Sequence, residues 1–155
     1  MTHPFYLRLP YVAKLDNQIE PGQSLIVRGQ STNDTFVINL ATSSSIEDCK
    51  DLVLHVSIRV KKGTIVFNSL SNGQWGKEEV HKCPLEKGQD FSVRIRSHPD
   101  KFEVFLKGKS LGSFDYRQPI STISHVQILG DLVLNAVGWE GNYYVKKFFS
   151  RNLNF

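Results

Sequence analysis

Long apolar runs, metal-ligand spacings and clustered charge are all missing from this chain, and each absence removes a class of function. No stretch approaches the roughly 20 consecutive apolar residues that a membrane-spanning helix needs, so membrane insertion is not expected. The opening residues Met1-Thr2-His3-Pro4-Phe5-Tyr6 lack a charged segment followed by an apolar one, so no secretory leader is read there. Cysteine is scarce. Cys49 and Cys83 stand far apart, without a C-x-x-C pair, and read as free thiols rather than a disulfide framework. A soluble protein made in the cytoplasm is the expectation. His3, His55, His81, His98 and His125 are scattered, without metal-ligand spacing to one another or to the cysteines. Neither a Gly-rich phosphate loop nor a Gly-x-Ser-x-Gly turn occurs. No metal and no other cofactor is therefore expected. The formal net charge is +4, but acidic and basic residues are interspersed and the basic runs are pairs such as Lys61-Lys62 and Lys146-Lys147. Without a basic stripe, nucleic acid is not an expected partner.

The 3.6-residue apolar period of helices is also missing. What is present alternates with period two. Phe91, Val93 and Ile95 share one face of a segment whose other face is Ser92, Arg94 and Arg96. Phe102, Val104 and Leu106 alternate in the same way with Glu103, Phe105 and Lys107. Turn signals separate such segments: Pro21-Gly22, Lys62-Gly63, Asn72-Gly73, Lys87-Gly88 and Lys107-Gly108-Lys109. Asn-Gly is the strongest short hairpin signal, because both residues tolerate positive φ. Short strands at close spacing predict an all-β antiparallel fold, with two packed sheets burying the inward faces. The length of 155 residues suits one domain with a full core. The segment 145–155 reads as a tail or the start of a linker.

One segment carries chemistry. Read as a strand, Asp51–Val60 points Leu52, Leu54, Val56, Ile58 and Val60 to the core. The other face then holds Val53, His55, Ser57 and Arg59. The next strand, Thr64–Asn68, puts Val66 and Asn68 on one face. After the Asn72-Gly73 turn, strict alternation would set Trp75 and Glu78 on opposite faces. Gly76 between them permits a bulge that re-aims one of them. His55, Arg59, Asn68, Trp75 and Glu78 would then form one patch on three neighbouring strands. Taken singly, each is an ordinary surface residue, and Arg59 with Glu78 could be a plain cross-strand ion pair worth under about 1 kcal/mol. Together they are the types a neutral sugar needs: directional donors and acceptors for hydroxyls, and a flat aromatic for the C–H face. A glycosidase would need two carboxyls facing each other about 5–9 Å apart. Glu78 and Glu79 are neighbours that point to opposite faces of a strand, so no catalysis is expected.

These residues resemble the galectin signature, and look most like its invertebrate and nematode members. His55-Val56-Ser57-Ile58-Arg59 is similar to His-x-Asn-x-Arg. Val66-Phe67-Asn68 matches Val-x-Asn, and Trp75-Gly76-Lys77-Glu78-Glu79-Val80 is similar to Trp-Gly-x-Glu-x-Arg. The resemblance extends to Phe36–Leu40, Phe91–Phe105 and Ile128–Leu132, and covers nearly all of residues 4–140. It implies a jelly-roll, concanavalin-like sandwich over residues 1–144 that binds β-galactosides through a terminal galactose. By the resemblance, His55, Arg59 and Asn68 hydrogen-bond galactose hydroxyls, the axial 4-hydroxyl among them. Trp75 stacks on the apolar face, and Glu78 accepts from hydroxyls and orients Arg59. Ser57 stands where the family has Asn, and Val80 where it has a second Arg. The alternative these departures raise is a galectin-fold interaction module whose groove takes a protein or a non-galactoside glycan. Implied partners are β-galactoside glycans on glycoproteins or glycolipids, and either a second copy or a second galectin domain. Val137–Tyr144 looks like the end of the first domain in tandem-repeat galectins. The family acts inside cells and, exported without a leader, outside them.

Overall fold

The computed structural model describes residues 5–141, and the tail assigned to 145–155 lies outside them. Two long strands organise the chain. β2 (Ser24–Ala41) and β10 (His125–Glu140) pair antiparallel along nearly their whole lengths. The second half of β2 pairs with β3 (Leu52–Arg59), and β3 with β4 (Thr64–Ser71). The far edge of β4 takes β5 (Gln74–Trp75) and then β6 (Glu79–Lys82). The first half of β2 pairs instead with β7 (Asp90–Ser97), followed by β8 (Lys101–Leu106) and β9 (Lys109–Asp115). β1 (Tyr11–Lys14) adds to the start of β10. The result is two antiparallel layers, β1-β10-β2-β3-β4-β5/β6 and β10-β2-β7-β8-β9, joined through the two long strands. Every helical residue among those described belongs to one 3-10 turn, Ile120–Thr122.

The core lies between the layers. Phe36, Ile38 and Leu40 of β2, Val56 and Ile58 of β3, and Ile65 and Phe67 of β4 face Phe91, Val93, Phe102, Val104 and Phe114. Phe36 stacks on Phe91 with ring centroids 4.7 Å apart, and Phe67 meets Phe114 edge-on at 6.4 Å. The alternation read for the segments at 91–96 and 102–106 holds, with every odd-numbered apolar residue of β7 and Phe102, Val104 and Leu106 of β8 buried. The hairpin between β4 and β5 is the Asn72-Gly73 turn, with φ of 50° and 78°.

The expected facing of Leu52 and Val53 is corrected. Relative to both neighbours, β3 carries one extra residue between Leu52 and His55. This bulge turns Val53 into the main core and sends Leu52 to a small separate cluster with Ala41 and Leu70. From Leu54 onward the expected parity holds. Val60 follows the strand's end and only partly joins the core.

Where the long strands cross between layers, Gly130 sits at φ 111° beside a register shift. A Cβ there would come within 2.6 Å of Thr35 O and 2.7 Å of Phe36 Cα, both backbone atoms. Gly130→Ala combines a left-handed φ with overpacking, so it is expected to cost at least about 2 kcal/mol in chemical denaturation. A parental midpoint and slope would show that the crossing tolerates a side chain.

Candidate functional site

The site face begins with an anchored hydrogen-bond chain. Gln127 of β10 is buried, and its Nε2 donates to Ser43 O (3.2 Å) and Ser45 O (3.1 Å). Backbone carbonyls only accept, so the amide's orientation is fixed. Its Oε1 therefore faces Asn39 and accepts from Asn39 Nδ2 at 3.2 Å. Asn39 then presents Oδ1 to His55 Nδ1, 2.7 Å away. An oxygen there requires a proton on Nδ1, which leaves Nε2 of the neutral ring as an acceptor. Burial first, and then the Arg59 charge, lower the His55 pKa to about 4 against an opposing pull from Glu78. The ring is neutral at pH 7.

His55 lies opposite Asn68 across β3–β4, and its ring meets Trp75 at 4.6 Å between centroids. Trp75 stands opposite Leu70, while Glu79 stands opposite Phe67. Three steps along β4 thus face four along the partner segment, the bulge that Gly76 was expected to allow. It brings Glu78 to the same face as Trp75, where Glu78 Oε2 accepts from Arg59 Nη2 at 3.3 Å. Both partners are substantially exposed, so their value lies in presenting charge rather than in stability. Trp75 itself is 54% exposed, with an open aromatic face beside the ion pair.

Two of the expected residues sit deeper than expected. Ser57 is buried beneath the site, its Oγ accepting a long bond from Arg59 Nε at 3.4 Å. Asn68 is buried as well. Its Oδ1 accepts from Ser69 N–H (2.8 Å) and Arg117 Nη1 (3.1 Å), and its Nδ2 donates to Gly76 O (3.0 Å). Val80 is 57% exposed, opposite Val66, which in turn lies opposite Ser57. The structure therefore brings His55, Arg59, Trp75 and Glu78 to the surface together, with Asn68 and Ser57 packed behind them. Sequence reasoning missed Asn39, Gln127 and Arg117. The available signal was a polar amide inside each of two otherwise apolar strand segments, Phe36–Leu40 and Val126–Leu129.

A two-layer antiparallel sandwich carrying an acceptor imidazole, an exposed Arg–Glu pair and an open Trp on one sheet face defines a lectin-type domain. The comparisons agree. The family model described as galactoside-binding lectin matches residues 10–139. A 32 kDa beta-galactoside-binding lectin of Caenorhabditis elegans is 45% identical over 138 residues, 88% of this chain and 50% of that protein. A lectin of the same description from Haemonchus contortus is 42% identical over 138 residues, 88% of this chain and 49% of that protein. A solved variant of human galectin-16 matches with a TM-score of 0.81 at 25% identity, covering 89% of this chain and 99% of its own. The chain belongs to the galactoside-binding lectin family, the galectins. It spans about half the length of the two nematode relatives.

Proposed function

We propose that this chain is a non-catalytic module that binds glycans ending in β-linked galactose. The observation that carries the reading is the chain from Gln127 through Asn39 to His55, which leaves Nε2 of His55 as an acceptor beside the Arg59 donors. An axial hydroxyl can donate to that nitrogen and accept from the guanidinium at once, while the C–H face of the sugar lies on Trp75. Glu78 accepts from a second hydroxyl. Catalysis is not part of the proposal: Glu78 is engaged by Arg59, and Glu79 by Arg117 on the other side of the segment. No metal is invoked either, since the donors and acceptors are all protein groups. The 32 kDa lectins are about twice this chain's length, which supports a parent with a second such domain. Action on glycoproteins or glycolipids, inside the cell or after leaderless export, fits the same reading.

The test is a lactose titration across pH. His55 offers its acceptor only when neutral, and its pKa is lowered to about 4. Affinity is therefore expected to stay flat from pH 7.5 down to about 5 and to fall as pH drops through about 4. The ordinary histidine value would place the fall near 6.5. A midpoint there, in a folded protein, would mean that burial does not hold the His55 ring neutral, and parental affinity below about pH 4 would mean that His55 is not the acceptor. A second reading rests on Val80, whose exposed side chain stands where the family signature has Arg: a groove adapted to a protein or a non-galactoside glycan. A glycan array with the purified chain separates the two, because the second predicts no enrichment of terminal galactose.

A further inference from the structure

We infer that Arg117 is a positioning residue for the galactoside site, an inference that rests on the reading above. Arg117 follows β9, in the layer opposite the site, and reaches across the edge of the sandwich. Its guanidinium lies over the Phe114 ring, with Cζ 4.4 Å from the centroid, a cation–π contact. From there it makes four hydrogen bonds to the site-bearing segment. Nη1 donates to Asn68 Oδ1 (3.1 Å) and Ser69 Oγ (3.3 Å). Nη2 donates to Lys77 O (2.7 Å) and Glu79 Oε2 (3.1 Å). Gly76 makes this approach possible, because a Cβ on it would fall 2.6 Å from Nη1. So the glycine of the Trp-Gly pair has a second role beside the bulge: it leaves room for the guanidinium beneath the segment.

Two consequences reach the sugar. First, Arg117 and the Ser69 N–H together occupy Asn68 Oδ1, which fixes the amide with Nδ2 toward Gly76 and the site. Gly76 O takes one of its two N–H groups, and the second is the one that can meet a sugar hydroxyl. Second, the bond to Lys77 O holds one of the two residues between Trp75 and Glu78, the two side chains whose separation sets the width of the sugar seat. The segment 76–78 belongs to no strand, so this brace adds to the backbone bond from Gly76 N–H to Ser69 O. Lysine could not do the same, since a single ammonium cannot serve Lys77 O and Asn68 Oδ1 in a planar fork.

Two measurements on the full chain test this. The first uses no sugar and follows backbone amide exchange by NMR. Arg117→Met is expected to lower protection at least about tenfold at Gly76, whose N–H donates to Ser69 O, while the amides of β7 keep theirs. Should the Met variant fail to fold, Arg117→Gln carries the same comparison. Unchanged protection at Gly76 overturns the brace. The second is a lactose titration in a double-variant cycle. Arg117→Met is expected to weaken binding at least about tenfold, Arg117→Lys to recover little, and the loss to be mostly absent in an Asn68→Ala background. Parental affinity in Arg117→Met, full recovery by lysine, or full additivity with Asn68→Ala overturns the positioning role. A parent chain that binds no lactose removes the galactoside reading instead, and the exchange experiment still decides whether Arg117 holds the segment.

Discussion

Trp75→Ala and Arg59→Ala are each expected to abolish measurable lactose binding in calorimetry, a loss of about 100-fold or more, with little change in stability. The two halves of that expectation have separate causes. Trp75 is 54% exposed and Arg59 sits at the open end of β3, so neither holds the core together. Surface truncations of this kind usually shift stability by about 0.5 kcal/mol or less. Their value appears only when a sugar covers them. The indole face supplies the largest flat apolar area on the site, and truncating it exposes both the C–H face of the sugar and the His55 ring it leans on. Arg59 supplies charge-assisted donors, among the strongest hydrogen bonds available, and its loss leaves Glu78 without its cation beside the ligand. A factor of 100 corresponds to about 2.7 kcal/mol, within reach of either mechanism. Folded variants that bind like the parent would remove both residues from the site.

The order of the site along the chain was legible because its parts are local. The parity of β3 from Leu54 onward, the Asn72-Gly73 hairpin and the glycine that permits the bulge all follow from neighbours in sequence. The bulge at Val53 was not legible. Leu52, Val53 and Leu54 are all apolar, so a one-residue slip leaves no polar residue misplaced to reveal it. The roles of Asn39 and Arg117 were hidden for a different reason. Asn39 acquires its orientation from Gln127, 88 residues away, and Arg117 bonds Asn68 across 49. The apolar neighbours of Asn39 mark it as an amide that needs a buried partner, but nothing near it or Arg117 says which residue that partner is. Ser57 shows the limit from the other side: alternation placed it on the correct face, but the Arg59 side chain lies over it and only the structure shows the depth.

That depth decides how the two departures from the family signature act, and it separates them. Val80→Arg is expected to raise affinity for lactosamine by about tenfold, and Ser57→Asn alone is expected to raise it little or to lower it. Val80 stands on the site face, two residues after Glu78 and more than half exposed. An arginine there has room to extend. It can donate to Glu78 Oε1, since Oε2 is engaged by Arg59, and to the sugar attached to galactose. One added charge-assisted hydrogen bond in a partly shielded site is worth about 1–3 kcal/mol, or tenfold near the low end. Valine donates nothing, so the parent is expected to discriminate weakly among disaccharides that share galactose and differ in the second sugar. Ser57 has no such freedom. It is buried between the strands that carry Val37 and Val66, under the Arg59 side chain. The longer Asn must displace that side chain to reach the ligand, and moving Arg59 disturbs its pair with Glu78, proposed above to face galactose. The check is lactosamine and lactose titration of both single variants and the double. A gain carried by Ser57→Asn with none from Val80→Arg would mean that the second sugar lies toward β3, not along β6.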